Sequence, residues 1–154
     1  MKIISHRGNI TGRKIDRENA PSYIDSAISS GYEVEVDIRY IKGSFWLGHD
    51  FATFEVSDTW IKKRKNLLWF HCKDLESAIA LSNVDEKITY FCHANDPYTV
   101  ISNGFIWVHE LSYAVNNKCI IPLLTESSIH DGNLYEAGGI CTDFVNIANT
   151  IWTN

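Results

Sequence analysis

Tyr32-Glu33-Val34-Glu35-Val36-Asp37-Ile38 alternates acidic and aliphatic side chains without a break from Glu33 onward. A period of two is the signature of a strand. It puts Glu33, Glu35 and Asp37 on one face and Val34, Val36 and Ile38 on the other. Upstream, Arg17–Ser30 has Pro21 near its start and Tyr23, Ile24, Ala27 and Ile28 at helical spacing, with Gly31 as the stop. Downstream, a Lys42-Gly43 turn leads into another apolar run, Ser44–Leu47.

The same rhythm continues along the chain. Strands are expected at about 2–5, 32–37, 44–48, 67–72, 88–92, 105–108, 119–123 and 139–142. A polar helix or loop is expected over 59–65 and a helix over 74–82 with Asp74 as its cap. A short helix or turn is expected over 97–101, one or two helical turns over 111–115, a short polar segment over 132–137 and a terminal helix or tail over 144–152. Strands alternating with helical pieces point to βα units and a mostly parallel sheet. Eight such units suggest a compact TIM-type (β/α) barrel with shortened or missing outer helices, built as one domain over residues 1–154. An open α/β sheet is the alternative, because barrels of this type usually need about 250 residues.

Composition narrows the function. The 154 residues are 45% hydrophobic and 12% aromatic, which suits a packed globule. The formal charge is −5, and residues 105–154 hold one Lys against five acids. No basic face for nucleic acid is therefore expected. The one basic run, Lys62-Lys63-Arg64-Lys65, reads as a solvated face. No export signal and no membrane span are visible, so a cytoplasmic location without stable membrane insertion is expected. Cys72, Cys92, Cys119 and Cys141 are widely spaced and sit in or beside apolar runs, as buried small hydrophobes do. Missing outer helices would leave apolar sheet surface open to self-association.

Glu35 and Asp37, two apart on a strand, make a platform for a hard divalent cation such as magnesium or calcium. A solvated strand face explains them nearly as well. His6 follows the first strand and His49 the third, where a barrel keeps its chemistry. Two such imidazoles suit general acid–base work, although each alone reads as a structural histidine. His71 and Lys73 share parity at the end of the fourth strand. Lys73 offers a point charge to a phosphate, and His71 a hydrogen bond or a metal ligand. His93 and His109 also fall at strand ends, so five of six histidines do.

Four segments together resemble the glycerophosphodiester phosphodiesterase family: His6-Arg7-Gly8, Arg17-Glu18-Asn19, the strand through Glu35 and Asp37, and Trp46-Leu47-Gly48-His49-Asp50. Residues 67–73 (LLWFHCK) and 138–148 (GGICTDFVNIA) resemble later segments of that family. The resemblance implies a TIM-type barrel that cleaves a small phosphodiester with a divalent metal. By position, His6 and His49 would be the acid–base pair, Arg7 and Lys73 would bind phosphate oxygens, and Glu35 and Asp37 would hold the metal. Glu18 would sit in the same pocket. His71 stands where the family has a third carboxylate ligand, which softens the site towards manganese or zinc. Rival readings are a phospholipase D-like lyase that forms a cyclic phosphate, a non-catalytic phosphate-binding module, and an interaction domain.

Overall fold

A computed structural model of the chain describes residues 1–110, 116–130, 134 and 136–152. The turns expected over 111–115 lie outside these residues, as does part of the polar segment at 132–137. The elements run β1 (Lys2–His6), α1 (Pro21–Ser29), β2 (Glu33–Ile41), β3 (Ser44–Leu47), β4 (Phe54–Val56), α2 (Asp58–Arg64), β5 (Leu68–Cys72), α3 (Leu75–Val84), β6 (Thr89–Cys92), β7 (Tyr98–Val100), β8 (Ile106–Val108), β9 (Cys119–Leu123), a 3-10 helix (Glu126–His130), β10 (Gly139–Thr142) and α4 (Val145–Trp152).

All eight expected strands are present, and two were missed. The segment expected as a helix or turn at 97–101 contains β7, antiparallel to β8. β4 pairs antiparallel with β3. The parallel strands follow the order β6-β5-β2-β1-β10-β9-β8. β3 is not a unit of this parallel array. It folds back as a hairpin on the far half of β2, pairing Ile38 with Leu47 and Ile41 with Ser44.

These pairings correct the closed-barrel expectation. The ten-stranded sheet is mixed and open, a curled half-barrel, and no ladder joins β6 to β8 among the described residues. Across that seam stand stacked rings, Phe91 against Trp107 at 4.6 Å, and hydrogen bonds between Ser102 and the backbone of Tyr90. The resemblance to the glycerophosphodiester phosphodiesterase family fails with the closed all-parallel barrel it implied. The physical reason lies in the connections: between β6 and β8 the chain forms the short strand β7, antiparallel to β8, where a barrel needs a crossover helix, and β3 and β4 fold back on β2 as antiparallel strands.

Parity organises the core. On β2 the outward Val34, Val36 and Ile38 pack with Leu68 and Phe70 of β5 against Ile24 and Ala27 of α1, Ile61 of α2 and Leu81 of α3. Ile121, Leu123 and Ile140 pack outward against Ala148 of α4 and Ile129. The concave face holds its own apolar floor of Ile4, Trp69, Phe91, Trp107, Ile120 and Cys141. Each fully buried side chain of this size contributes roughly 1.5–3 kcal/mol.

The helices are placed by local chemistry. Pro21 opens α1 and Gly31, at φ +91°, follows its end. Ser57 Oγ caps α2 by accepting from Trp60 N–H at 3.2 Å, and Asp74 caps α3 by accepting from Ser77 N–H at 2.6 Å. The basic run is more than a solvated face. Its Arg64 holds Asp25 of α1 through two bonds of 2.7 and 2.9 Å, and Lys65 pairs with Asp85. Cys72, Cys119 and Cys141 are buried as expected, whereas Cys92 is exposed, and all four are free thiols.

Candidate metal centre

Directly above the apolar floor, the inner face of β2 carries Glu35 and then Asp37, and that of β5 carries His71. The solvated-face alternative is excluded, because Glu35 is 2% exposed and Asp37 is fully buried. His71 Nδ1 stands 3.1 Å from Asp37 Oδ1 and 3.7 Å from Glu35 Oε1. One ligand atom from each of the three residues lies within 4.8 Å of the others. His71 Nε2 faces the His93 carbonyl at 3.4 Å. Without a cation, a proton on Nδ1 points at Asp37 Oδ1; with one bound, that proton would sit on Nε2 and the Nδ1 lone pair would face the ion.

The chemistry of this set fits a divalent cation. Glu35 Oε2 is buried without a hydrogen bond, and His6 Nε2 is 3.9 Å from it. An ionised carboxylate oxygen in that position needs a cation. Burial and the adjacent Asp37 charge push the Glu35 carboxyl above the ordinary glutamate range. Burial also works against the Asp37 charge. A hydrogen bond from His71 and the charges of Arg7 and Lys73 outweigh it, so Asp37 stays well below the ordinary aspartate range. One carboxylate is thus held ionised at all ordinary pH, and its neighbour becomes so when a cation arrives.

The surrounding loops bring the remaining groups over this pair. Arg7 and Gly8 are both left-handed, at φ 54° and 91°, so the chain leaving β1 doubles back. A Cβ on Gly8 would meet the Tyr23 ring at 2.9 Å. The turn brings Arg7 Nε to 2.8 Å from Asp37 Oδ2. Glu18 holds the other side of that guanidinium at 3.0 Å and also takes bonds from Asn9 and Arg13. Lys73 extends the β5 ladder through its N–H to Ile38 O, so it keeps the inward parity of His71. Its Nζ lies 3.6 Å from Asp37 Oδ1.

His6, Arg7, Glu35, His49, His71 and Lys73 line one cavity of about 270 Å³, together with His93 and His109. All five strand-end histidines therefore converge. Glu18 sits behind Arg7 and lines a neighbouring cleft instead. His49 is the most open member, with its Nδ1 2.8 Å from Asp50 Oδ1. Partial burial and the imidazoles of His93 and His71 push His109 down to about 4.

Four partners were not anticipated. Asp143 Oδ1 lies 2.7 Å from His6 Nδ1. Asn9 donates to that same carboxylate oxygen at 2.8 Å. Asn19 donates to Asp37 Oδ2 and accepts from the Asp37 N–H, which fixes the carboxylate plane. Arg39 donates to the carbonyls of Gly48 and His49 and so clamps the loop that bears His49. Asp143 stands one residue past β10 and His6 is the last residue of β1, so the strand-end rule applied to acids would have placed Asp143 near the site.

Among the described residues no helix is long and apolar enough to cross a membrane. Comparison of the chain with protein-family models, with curated proteins and with solved structures returns no match.

Proposed function

We propose that this chain is a metal-dependent phosphodiester hydrolase acting on a small or headgroup-sized diester. One observation carries the reading. A buried Glu35–Asp37–His71 set with an orphaned carboxylate oxygen opens, through Glu35 and His71, onto a cavity that two cations, Arg7 and Lys73, and the Asp143-bound His6 also line. Phosphodiester cleavage calls for that combination: charge stabilisation on the non-bridging oxygens, a base for the attacking hydroxyl and an acid for the departing alkoxide.

The bound cation, held by Glu35, Asp37 and His71, would supply Lewis-acid charge stabilisation at the phosphoryl oxygens. Arg7 and Lys73 orient the phosphate from either side of Asp37. Asp143 fixes the Nδ1 proton of His6, leaving Nε2 to take the proton of the attacking water or of a neighbouring substrate hydroxyl. His49, across the same cavity, gives its proton to the leaving oxygen as the phosphorus–oxygen bond breaks. A set of two oxygens and one nitrogen favours manganese or zinc over magnesium or calcium.

The test uses the purified protein with each of these four ions and a glycerol-bearing phosphodiester, with products followed by phosphorus NMR. Cleavage that depends on the ion and falls at least about 100-fold in His6→Ala and in His49→Ala is the expected outcome. Calorimetric metal binding with no diester cleaved under any ion would sink the hydrolase reading.

A further inference from the structure

Two large apolar side chains stand in water beside the candidate site. Phe51 is 79% exposed and Ile15 is 68% exposed, and both line one shallow cleft of about 170 Å³. Arg7 and His49 line both this cleft and the site cavity, so the cleft opens at the site's mouth. Leu124, which also lines the cavity, is 45% exposed.

Neither loop has slack to tuck its side chain away. A Cβ on Gly48 would meet Phe51 O at 2.1 Å, and Arg39 clamps the carbonyls just before Phe51. Thr53 N–H is bonded to Leu47 O. On the other loop, Lys14 N–H donates to Asn9 Oδ1, and the N–H groups of Arg17 and Glu18 donate to Lys14 O. Both loops are therefore tied to the site, with Ile15 and Phe51 exposed on them. The charge beside them has a sign of its own. The chain is at −5, yet Arg13-Lys14-Ile15-Asp16-Arg17 carries three cations and one acid, all exposed; Glu18 holds Arg13, and Asp50 stands exposed beside Phe51, so the basic excess of the rim lies with Lys14 and Arg17 on the Ile15 loop.

We propose that this mouth is an interfacial docking rim for an anionic lipid surface, and that the phosphodiester the site receives is a lipid headgroup. Phe51 and Ile15 enter the acyl boundary while Lys14 and Arg17 meet anionic headgroups. This is the pairing of apolar insertion and electrostatic attraction used by peripheral proteins. The docked orientation faces the cavity towards the membrane. The proposal takes its substrate from the hydrolase reading, but the surface contact stands or falls independently of turnover.

The experiment is co-sedimentation with vesicles of phosphatidylcholine and phosphatidylserine in equal parts, compared with phosphatidylcholine alone. The full chain and the Ile15→Ser/Phe51→Ser variant are measured in parallel. Expected are binding to the anionic vesicles, about tenfold or greater weakening in the variant, and weakening by salt. The variant should keep the wild-type thermal shift with manganese and the wild-type rate on a water-soluble diester. No sedimentation of the wild type, or equal sedimentation of the variant, overturns the proposal. So does loss of soluble-diester turnover in the variant, which would make these residues part of the substrate pocket. A dimer in light scattering that the variant abolishes would assign the rim to a second copy and also overturn it. Vesicle binding without cleavage of any diester would leave the docking rim standing and remove the hydrolase reading.

Discussion

Asp143 decides what His6 can do. With Nδ1 held at 2.7 Å by the carboxylate, only Nε2 faces the cavity. Asp143→Asn is expected to lower kcat about 100-fold while calorimetric metal affinity stays unchanged, because Glu35, Asp37 and His71, the proposed ligands, lie on other strands. Glu35 is the opposite kind of residue, costly to the fold and useful to the site. Its pKa is raised, so above the ordinary glutamate range its charge works against folding, and protonation relieves that cost. Glu35→Gln should therefore melt a few degrees higher than wild type without metal at neutral pH, at roughly 2–4 °C per kcal/mol gained. It should also lose the upward thermal shift that metal confers, and a retained shift would remove Glu35 from the ligand set. Glu35, Asp37, His71 and Lys73 were legible in the sequence because strand parity is local. Asp143 stands at a legible strand end, but its bond to His6 was not legible, because it exists only once β10 pairs with β1 and joins residues 137 apart in the chain.

The hairpin of β3 and β4 shows where element reading stopped. A three-residue strand such as Phe54–Val56 or Tyr98–Val100 has too few residues for alternation to show, and each exists through one antiparallel neighbour. The helices were plainer, since Pro21, Gly31 and Asp74 act on their own neighbours. The hairpin matters because it delivers His49. Gly48 sits at φ +140° with the Phe51 carbonyl where a Cβ would go. Gly48→Ala should cost about 1–3 kcal/mol in denaturant melts and displace His49, so turnover falls while metal affinity holds. An alanine variant as stable and active as wild type would show that the loop is not fixed by this glycine.

For the whole molecule, the half-barrel concentrates its acids under one cavity, and this sets its response to pH. Asp37, Asp143 and Glu18 all ionise below their ordinary ranges. Burial opposes each charge, but His71 and Arg7 around Asp37, His6 and Asn9 around Asp143, and Arg7 and Asn9 around Glu18 outweigh it. The stability they contribute is complete above the ordinary carboxylate range and is lost as pH falls through the lowered values. Without metal, thermal melts by circular dichroism should rise slightly from neutrality to about pH 5 as Glu35 takes up its proton, and then fall steeply below about pH 4. A midpoint that stays level to pH 3 would refute this charge assignment. Closure was the part of the fold the sequence did not disclose. Eight strand-like segments were legible, but whether β6 meets β8 by a ladder or by ring stacking is settled by tertiary packing that no local pattern encodes.

The strict alternation of β2 also constrains how this gene can drift. Its outer side chains belong to the main apolar layer and its inner ones to the metal set. Losing or gaining one codon between residues 33 and 38 would turn Glu35 and Asp37 into the core and the valines into the cavity, destroying both at once. A change of two codons would keep each side chain on its own face. Length variation in descendants of this sequence should therefore occur there in even steps or be absent.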